Sequence, residues 1–139
     1  MSHTMRAVRF QEYGDAGKLI IESVPRPVPK ANEILAKVHY AGVNPVDWKI
    51  RSGLYKDFMP ITFPATPGRD FSGVVEEVGA SVKHLSKGQR VFGPANGTYA
   101  EYVVVPEVEV CISSSRFTQK NRLEIPISPW VLFAVSSVA

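Results

Sequence analysis

Short runs of alternating hydrophobic and polar residues, separated by turn-forming residues, occupy most of the chain between residues 5 and 112. The clearest run is residues 33–40, where Ile34, Ala36 and Val38 would share one face of a strand. Strands are predicted at residues 5–10, 19–21, 33–40, 70–79, 91–92, 98–105 and 107–112. Many short strands at close spacing favour a mainly β fold, either a small barrel or a sandwich.

One segment has helical character. Pro45 suits the first position of a helix and Asn44 suits its N-cap, so residues 46–51 are predicted to form a short helix that ends at Gly53. Residues 54–69 are rich in proline and are predicted to form a long irregular loop. Such loops more often carry function than packing.

The composition changes near residue 113. The 139 residues fit one domain, and all ten glycines lie between Gly14 and Gly97. We therefore divide the chain into a leader at residues 1–4, a domain at residues 5–112 and a divergent tail at residues 113–139. The tail has an apolar end at residues 130–138. Either it docks on the barrel or it once packed against a missing neighbour, and both interpretations stay open.

Charge and cysteine content exclude several classes of protein. Sixteen basic against thirteen acidic residues give a net charge of +3 without a basic stripe, which argues against a nucleic-acid partner. Cys111 is the single cysteine, so it fits a reducing, cytoplasmic compartment, and we expect it to be a buried small hydrophobe. We see no signal peptide and no apolar stretch long enough to span a bilayer, so no membrane partner is expected.

The most informative chemistry follows the third predicted strand. Glycine-rich phosphate loops, zinc-protease motifs and nucleophile elbows do not occur in the sequence. Asn44, Asp47 and Lys49 would place an amide, a carboxylate and an ammonium at one loop rim, where they could polarise a carbonyl. The residues alone favour a plainer alternative, in which Asn44 caps the helix and the charged side chains face solvent.

Four sequence blocks, taken in order, resemble the N-terminal GroES-like catalytic domain of the medium-chain dehydrogenase/reductases. The blocks are AGVNPVDWKIRSG at 41–53, PATPGRDFSGVVEEVG at 64–79, KGQRVFG at 87–93 and GTYAEYVVVP at 97–106. They are most similar to the zinc-independent quinone oxidoreductase (zeta-crystallin-like) branch and its enone-reductase relatives. The resemblance implies a mainly β, GroES-like, partly open β-barrel with one or two short helices and an atypical C-terminal tail.

The resemblance also implies a reaction, which is NADPH-dependent reduction of a small quinone or α,β-unsaturated carbonyl (enone). Asn44, Asp47 and Lys49 match the catalytic positions of the family, and Asn44 and Lys49 also match positions that contact the cofactor. Tyr55 and Phe63 are candidate substrate-binding residues, although plain aromatic packing fits them equally well.

Two departures from the family limit these expectations. Zinc-dependent relatives have a cysteine at the position of Asn44 and a histidine at that of Arg69, so no metal site is expected here. The 139 residues leave no room for the family's nucleotide-binding domain, which would be explained if the chain were truncated or its reading frame disturbed. We therefore expect this chain to bind NADPH weakly and to be inactive or weak. The alternative function is a non-enzymatic GroES-like interaction module that forms homo-oligomers through its apolar tail.

Overall fold

The computed structural model describes residues 4–113 and 134–136. The strands and the one helix of these residues are β1 (Thr4–Arg9), β2 (Ile20–Pro25), β3 (Glu33–Gly42), α1 (Pro45–Arg51), β4 (Asp70–Val78), β5 (Arg90–Pro94), β6 (Tyr102–Pro106), β7 (Cys111–Ile112) and β8 (Ala134–Ser136). Single turns of 3-10 helix lie at Ala16–Lys18 and Glu107–Glu109. The predicted mainly β class is confirmed.

The strands form two antiparallel sheets. β1 and β2 make a two-stranded sheet, while the larger sheet has the order β6-β3-β4-β5-β7 with β8 also beside β3. β6 pairs with the first half of β3, and β8 pairs with Tyr40, Ala41 and Gly42 at its end. Neither sheet closes on itself, which confirms the partly open GroES-like fold.

The alternating pattern of the sequence places the core. In β4, Phe71, Gly73 and Val75 are buried while the residues between them stay partly exposed. The buried hydrophobic cluster around them contains Ile34, Ala36, Phe71, Val75, Leu85, Val91, Ala95, Val103 and Val105. These residues come from β3, β4, β5, β6 and the segments between them, so one core supports the sheet face.

The prediction of a continuous strand at residues 98–105 is wrong at its start, because β6 begins only at Tyr102. The preceding residues pair elsewhere. Val8 donates a backbone hydrogen bond to Tyr99 at 2.8 Å, and Tyr99 donates one to Pro67 at 3.1 Å. Glu101 donates to Arg6 in the same way. The segment therefore links the two sheets and the loop before β4, and it brings Tyr99 towards α1.

Two other sequence expectations need correction. Residues 107–112 do not form one strand, because Glu107–Glu109 is a 3-10 turn and only Cys111–Ile112 pairs with β5. Cys111 is exposed rather than buried, since β7 lies at the end of the strand order among the described residues.

The C-terminal tail lies mostly outside the described residues, and this includes the apolar residues 130–133. Only the backbone pairing of β8 with β3 is described there. α1, with seven residues, is far too short to cross a bilayer, and none of the described helical segments is longer.

Candidate functional site

Asn44 joins the start of α1 to the start of β4. Its extended backbone precedes the helix, and Pro45 occupies the first helical position as predicted. The backbone N–H of Asn44 donates to Oδ2 of Asp47 at 2.7 Å, and its side-chain Nδ2 donates to Oδ2 of Asp70 at 2.6 Å. The side chain of Asn44 therefore has a partner in the sheet and is not simply a solvent-facing cap.

Asp47 is the buried acid of this region, with only 7% of its surface exposed. The Tyr99 hydroxyl donates to the same Oδ2 that accepts the Asn44 backbone bond, at 3.1 Å. Oδ1 of Asp47 is also buried but has no hydrogen-bond partner among the described residues. One carboxyl oxygen thus has two donors while the other has none, an arrangement that is costly for a charged group.

Burial raises the pKa of the Asp47 carboxyl, against the opposing effect of the hydrogen bonds from Asn44 and Tyr99. The nearby Asp70 carboxylate raises this pKa further, and the Arg69 guanidinium lowers it. Burial and the adjacent Asp47 also raise the pKa of the Tyr99 hydroxyl well above its ordinary value. Tyr99 therefore keeps its proton and stays a hydrogen-bond donor, while Asp47 can change protonation state nearer to neutral pH.

Gly68 permits the close packing that positions Tyr99. Its φ is +102°, in the region that favours glycine. A Cβ added there would lie 2.2 Å from Oγ1 of Thr98 and 2.6 Å from a ring carbon of Tyr99. Gly68 therefore allows the chain before β4 to run directly against the Thr98–Tyr99 backbone.

A cleft of about 410 Å³ lies beside this network. Asp47 and Ile50 line it from α1, Phe10 lines it from just after the end of β1, and the other walls come from the loop before β4 and the turn at residues 96–97. Its apolar wall contains Phe10, Ile50, Met59, Pro60, Ile61, Ala65 and Pro67. Its charged side chains are Asp47 and Arg69, so the cleft combines an apolar surface with two opposite charges. Such a lining is typical of small-molecule sites.

The other residues predicted for the site lie apart from this cleft lining. Lys49 places its Nζ 5.8 Å from the ring centres of both Trp48 and Tyr55. Tyr55 in turn packs on Phe58 with ring centres 4.8 Å apart. The structure therefore brings Lys49 and Tyr55 together on a partly exposed aromatic surface, separate from Asp47.

Phe63 belongs to a third group of side chains. Its ring packs edge-to-face on Phe10 and Tyr13, with centres 5.7 Å and 4.9 Å apart. Of the five predicted site residues, only Asn44 and Asp47 are joined in one hydrogen-bond network. The functional roles of all five remain predictions.

Sequence reasoning did not select Tyr99 or Asp70, and it considered Arg69 only as a substitute for a zinc ligand. The sequence blocks could have indicated these residues, because Tyr99 lies in the GTYAEY block and the other two lie in the PGRD block. Within residues 4–113 and 134–136, no three histidine, cysteine or acidic side chains are grouped as metal ligands would be. The absence of zinc stays a prediction.

Comparison with known proteins places this geometry in a family. The family model for the alcohol dehydrogenase GroES-like domain matches residues 30–115. Quinone oxidoreductase from Sus scrofa is 40% identical over 126 residues, which cover 88% of this chain and 38% of that protein. Quinone oxidoreductase from Homo sapiens is 44% identical over 106 residues, which cover 74% of this chain and 32% of that protein.

Comparison with solved structures finds the same kind of relative. Quinone oxidoreductase from Coxiella burnetii matches with a TM-score of 0.74 and 31% identity, covering 84% of this chain and 39% of that one. A mycobacterial protein complexed with NADPH matches with a TM-score of 0.74 and 34% identity, covering 84% of this chain and 34% of that one. The chain thus spans between 32% and 39% of the length of these four relatives. The chain belongs to the alcohol dehydrogenase GroES-like domain family and is similar to part of the quinone oxidoreductases.

Proposed function

We propose that this domain is the catalytic domain of an NADPH-dependent reductase of quinones or α,β-unsaturated carbonyls. The observation that carries the proposal is the buried Asp47 carboxyl, with one unpartnered oxygen, at the wall of a largely apolar cleft. The cleft volume of about 410 Å³ lies in the range of small-molecule sites. The names of the relatives add support, since they are quinone oxidoreductases and one related structure is complexed with NADPH.

The cofactor contacts proposed for this chain are to the nicotinamide end of NADPH. When bound, NADPH supplies the hydride for the reduction. Asn44 and Lys49 are the residues proposed to hold it, one fixed by its bond to Asp70 and the other on the outer side of α1 near Tyr55. The unpartnered Oδ1 of Asp47 supports a ligand beside the Asn44 end of α1, because a buried carboxyl oxygen without a donor is suited to a ligand or a proton.

Asp47 is proposed to donate a proton to the substrate. Reduction of a quinone to a hydroquinone, or of an enone to the saturated carbonyl, consumes one hydride and one proton. A carboxyl whose pKa is raised by burial can hold that proton on Oδ1. Tyr99 keeps Oδ2 oriented by donating to it, and Asn44 does the same through its backbone. The apolar wall of the cleft reduces the access of water to the reacting carbonyl.

The proposed function is tested by an NADPH oxidation assay with a quinone and with an enone as acceptors. The full chain is assayed alone and with a separately supplied nucleotide-binding domain from a quinone oxidoreductase. We expect weak or no turnover alone and acceptor-dependent NADPH oxidation in the mixture. Asp47→Asn should lower that rate at least tenfold, as expected for the loss of a proton-transfer group. Asp57→Asn is the control, since it removes an exposed carboxylate and should leave the rate unchanged.

Absence of acceptor-dependent oxidation in the mixture, with both proteins folded, would contradict the proposed function. NADPH fluorescence titration of the chain alone tests the separate proposal of weak cofactor binding. The contacts proposed for this chain reach only the nicotinamide end of the cofactor, so we expect no saturation at low micromolar concentration. Saturable binding in that range would overturn the weak-binding proposal.

A further inference from the structure

Arg69 is a cation in the cleft that has no acidic partner among the described residues. It lines the cleft beside Asn96, and its guanidinium donates to the neutral side-chain oxygen of that residue. Some other arginines of the described chain do have carboxylate partners, such as Glu101 for Arg6 at 3.1 Å and Glu77 for Arg26 at 2.8 Å.

The acids nearest to Arg69 are committed to other groups. Oδ2 of Asp47 accepts from Tyr99 and from the Asn44 backbone, and Oδ2 of Asp70 accepts from the Asn44 side chain. Asp47 interacts with Arg69 only as a nearby charge, since the two are not within ion-pair distance. The guanidinium therefore keeps donors that no carboxylate of the described residues occupies.

A guanidinium in this setting has a preferred type of ligand. Its planar donors match the two oxygens of a carboxylate, sulfonate or phosphate and form stronger bonds with them than with a neutral acceptor. A cation at an apolar surface is also more stable with a counter-ion than without one. The rest of the cleft surface, including Ile50, Met59 and Ile61, is suited to a ring.

We propose that Arg69 binds an oxyanion carried by the ligand of the cleft, so that the preferred substrates are quinones or enones with an acidic group. This inference rests on the proposed function and narrows its substrate class. The same oxyanion chemistry could come from a phosphate of the cofactor. The two sources are separated by testing each compound alone.

The test uses equilibrium binding to the full chain, followed by tryptophan fluorescence. The probes are anthraquinone-2-sulfonate, the neutral analogue 2-(hydroxymethyl)anthraquinone, and NADPH. We expect the sulfonate to bind about tenfold more tightly than the neutral analogue, as for one charge-assisted contact at a partly exposed site. Added NaCl should weaken binding of the sulfonate and leave the neutral compound unaffected.

Three variants assign the effect to Arg69. Arg69→Met should lower affinity for the sulfonate about tenfold and leave the neutral analogue unchanged. Arg69→Lys keeps the charge without the planar donors and should retain part of the preference. Lys87→Met removes one charge from a side chain that is 70% exposed, and it should change neither affinity. Thermal unfolding of each variant shows that it is folded.

Each outcome bears on the inference. Equal affinity of the wild type for both anthraquinones, or equal loss of both in Arg69→Met, overturns it and leaves the proposed function intact. Binding of neither anthraquinone contradicts both proposals. If Arg69→Met leaves sulfonate binding unchanged, the inferred substrate class is overturned, and a loss confined to NADPH binding would assign Arg69 to a phosphate of the cofactor instead.

Discussion

At the scale of single residues, Asp47 is the most unusual group of the described chain. Its two carboxyl oxygens have very different surroundings, because one accepts two hydrogen bonds and the other is buried without a donor. This asymmetry makes the charged form of Asp47 unfavourable, so the residue should affect stability as well as chemistry.

Asp47 gives the protein a pH-dependent loss of stability. Because its pKa in the folded state lies above the ordinary 3.8, its contribution is fully present below that pH and is lost as pH rises through the raised value. We expect the unfolding free energy of the wild type, relative to Asp47→Asn, to fall as pH rises from about 3 towards neutral. Urea unfolding of both proteins across that range measures it. A difference that is constant or grows with pH would contradict the raised pKa.

Gly68 provides a second prediction at the residue scale. Gly68→Ala adds a Cβ that would overlap Oγ1 of Thr98 at 2.2 Å, in addition to a φ of +102°. Gly88→Ala is the matched control, since its φ is +90° but nothing lies within 4 Å of the added atom. We expect a loss of about 3 kcal/mol or more for Gly68→Ala and of about 1 kcal/mol for Gly88→Ala by denaturant unfolding. Similar losses for the two variants would show that the Thr98 contact is unimportant.

At the scale of elements, α1 depends on its neighbours. A helix of seven residues is too short to be stable alone, so its ends must be held by tertiary contacts. Asp47 fixes its first turn to Tyr99, and Arg51 donates to the Gly14 carbonyl at 3.0 Å from its last turn. Gly14 donates a backbone bond to Arg51 in return, at 2.9 Å. The helix is therefore placed by the turn before β2 and by the segment before β6.

The 3-10 turn after β6 also holds the connection between β4 and β5. Glu107 accepts backbone hydrogen bonds from His84 and Lys83, and these lower the pKa of its carboxyl. Because the folded pKa is below the ordinary 4.5, its contribution is present above that pH and is lost as pH falls through the lowered value. Glu107→Gln should therefore destabilise the protein at neutral pH, and the difference from wild type should shrink in acid.

The measurement for Glu107→Gln is the same urea series that is used for Asp47→Asn. The two variants should show opposite dependences on pH, which makes each a control for the other. A Glu107→Gln difference that is the same at pH 3 and pH 7 would mean that the carboxylate charge does not support the turn.

At the scale of the whole molecule, the described chain has one core and two unclosed sheets joined by residues 98–101. It covers about two fifths of the pig relative's length, so the activity of the whole relative stays a proposal for this chain. The non-enzymatic alternative also belongs at this scale, since it concerns association through the apolar tail.

Self-association through the tail remains a prediction from sequence, because residues 130–133 lie outside the described part. If the tail mediates it, light scattering of the full chain should find a dimer that survives dilution, and Trp130→Ser with Phe133→Ser should convert it to a monomer. A monomeric wild type at all concentrations would contradict the interaction-module alternative.

The sequence by itself determined the fold class, the start of α1 and the family. These features are local patterns, which can be recognised without knowing the long-range contacts. They are the alternation along β3 and β4, the Asn44-Pro45 helix start and the four ordered blocks. The burial of Cys111 and the extended strand through residue 99 were wrongly predicted from the same kind of pattern. Both errors have the same cause. The position of Cys111 on an end strand and the pairing of residues 98–101 with other segments depend on how the rest of the sheet is arranged.

Only the tertiary structure decided which residues share the candidate site. Asp47 and Tyr99 are 52 residues apart, and Asn44 and Asp70 are 26 apart, so no spacing in the sequence indicates their hydrogen bonds. The glycine at 68 allows the approach, and the linking segment at 98–101 turns Tyr99 towards α1. The physical reason is that contact between distant segments depends on side-chain packing and strand pairing, and the free energies of both are determined by the whole chain.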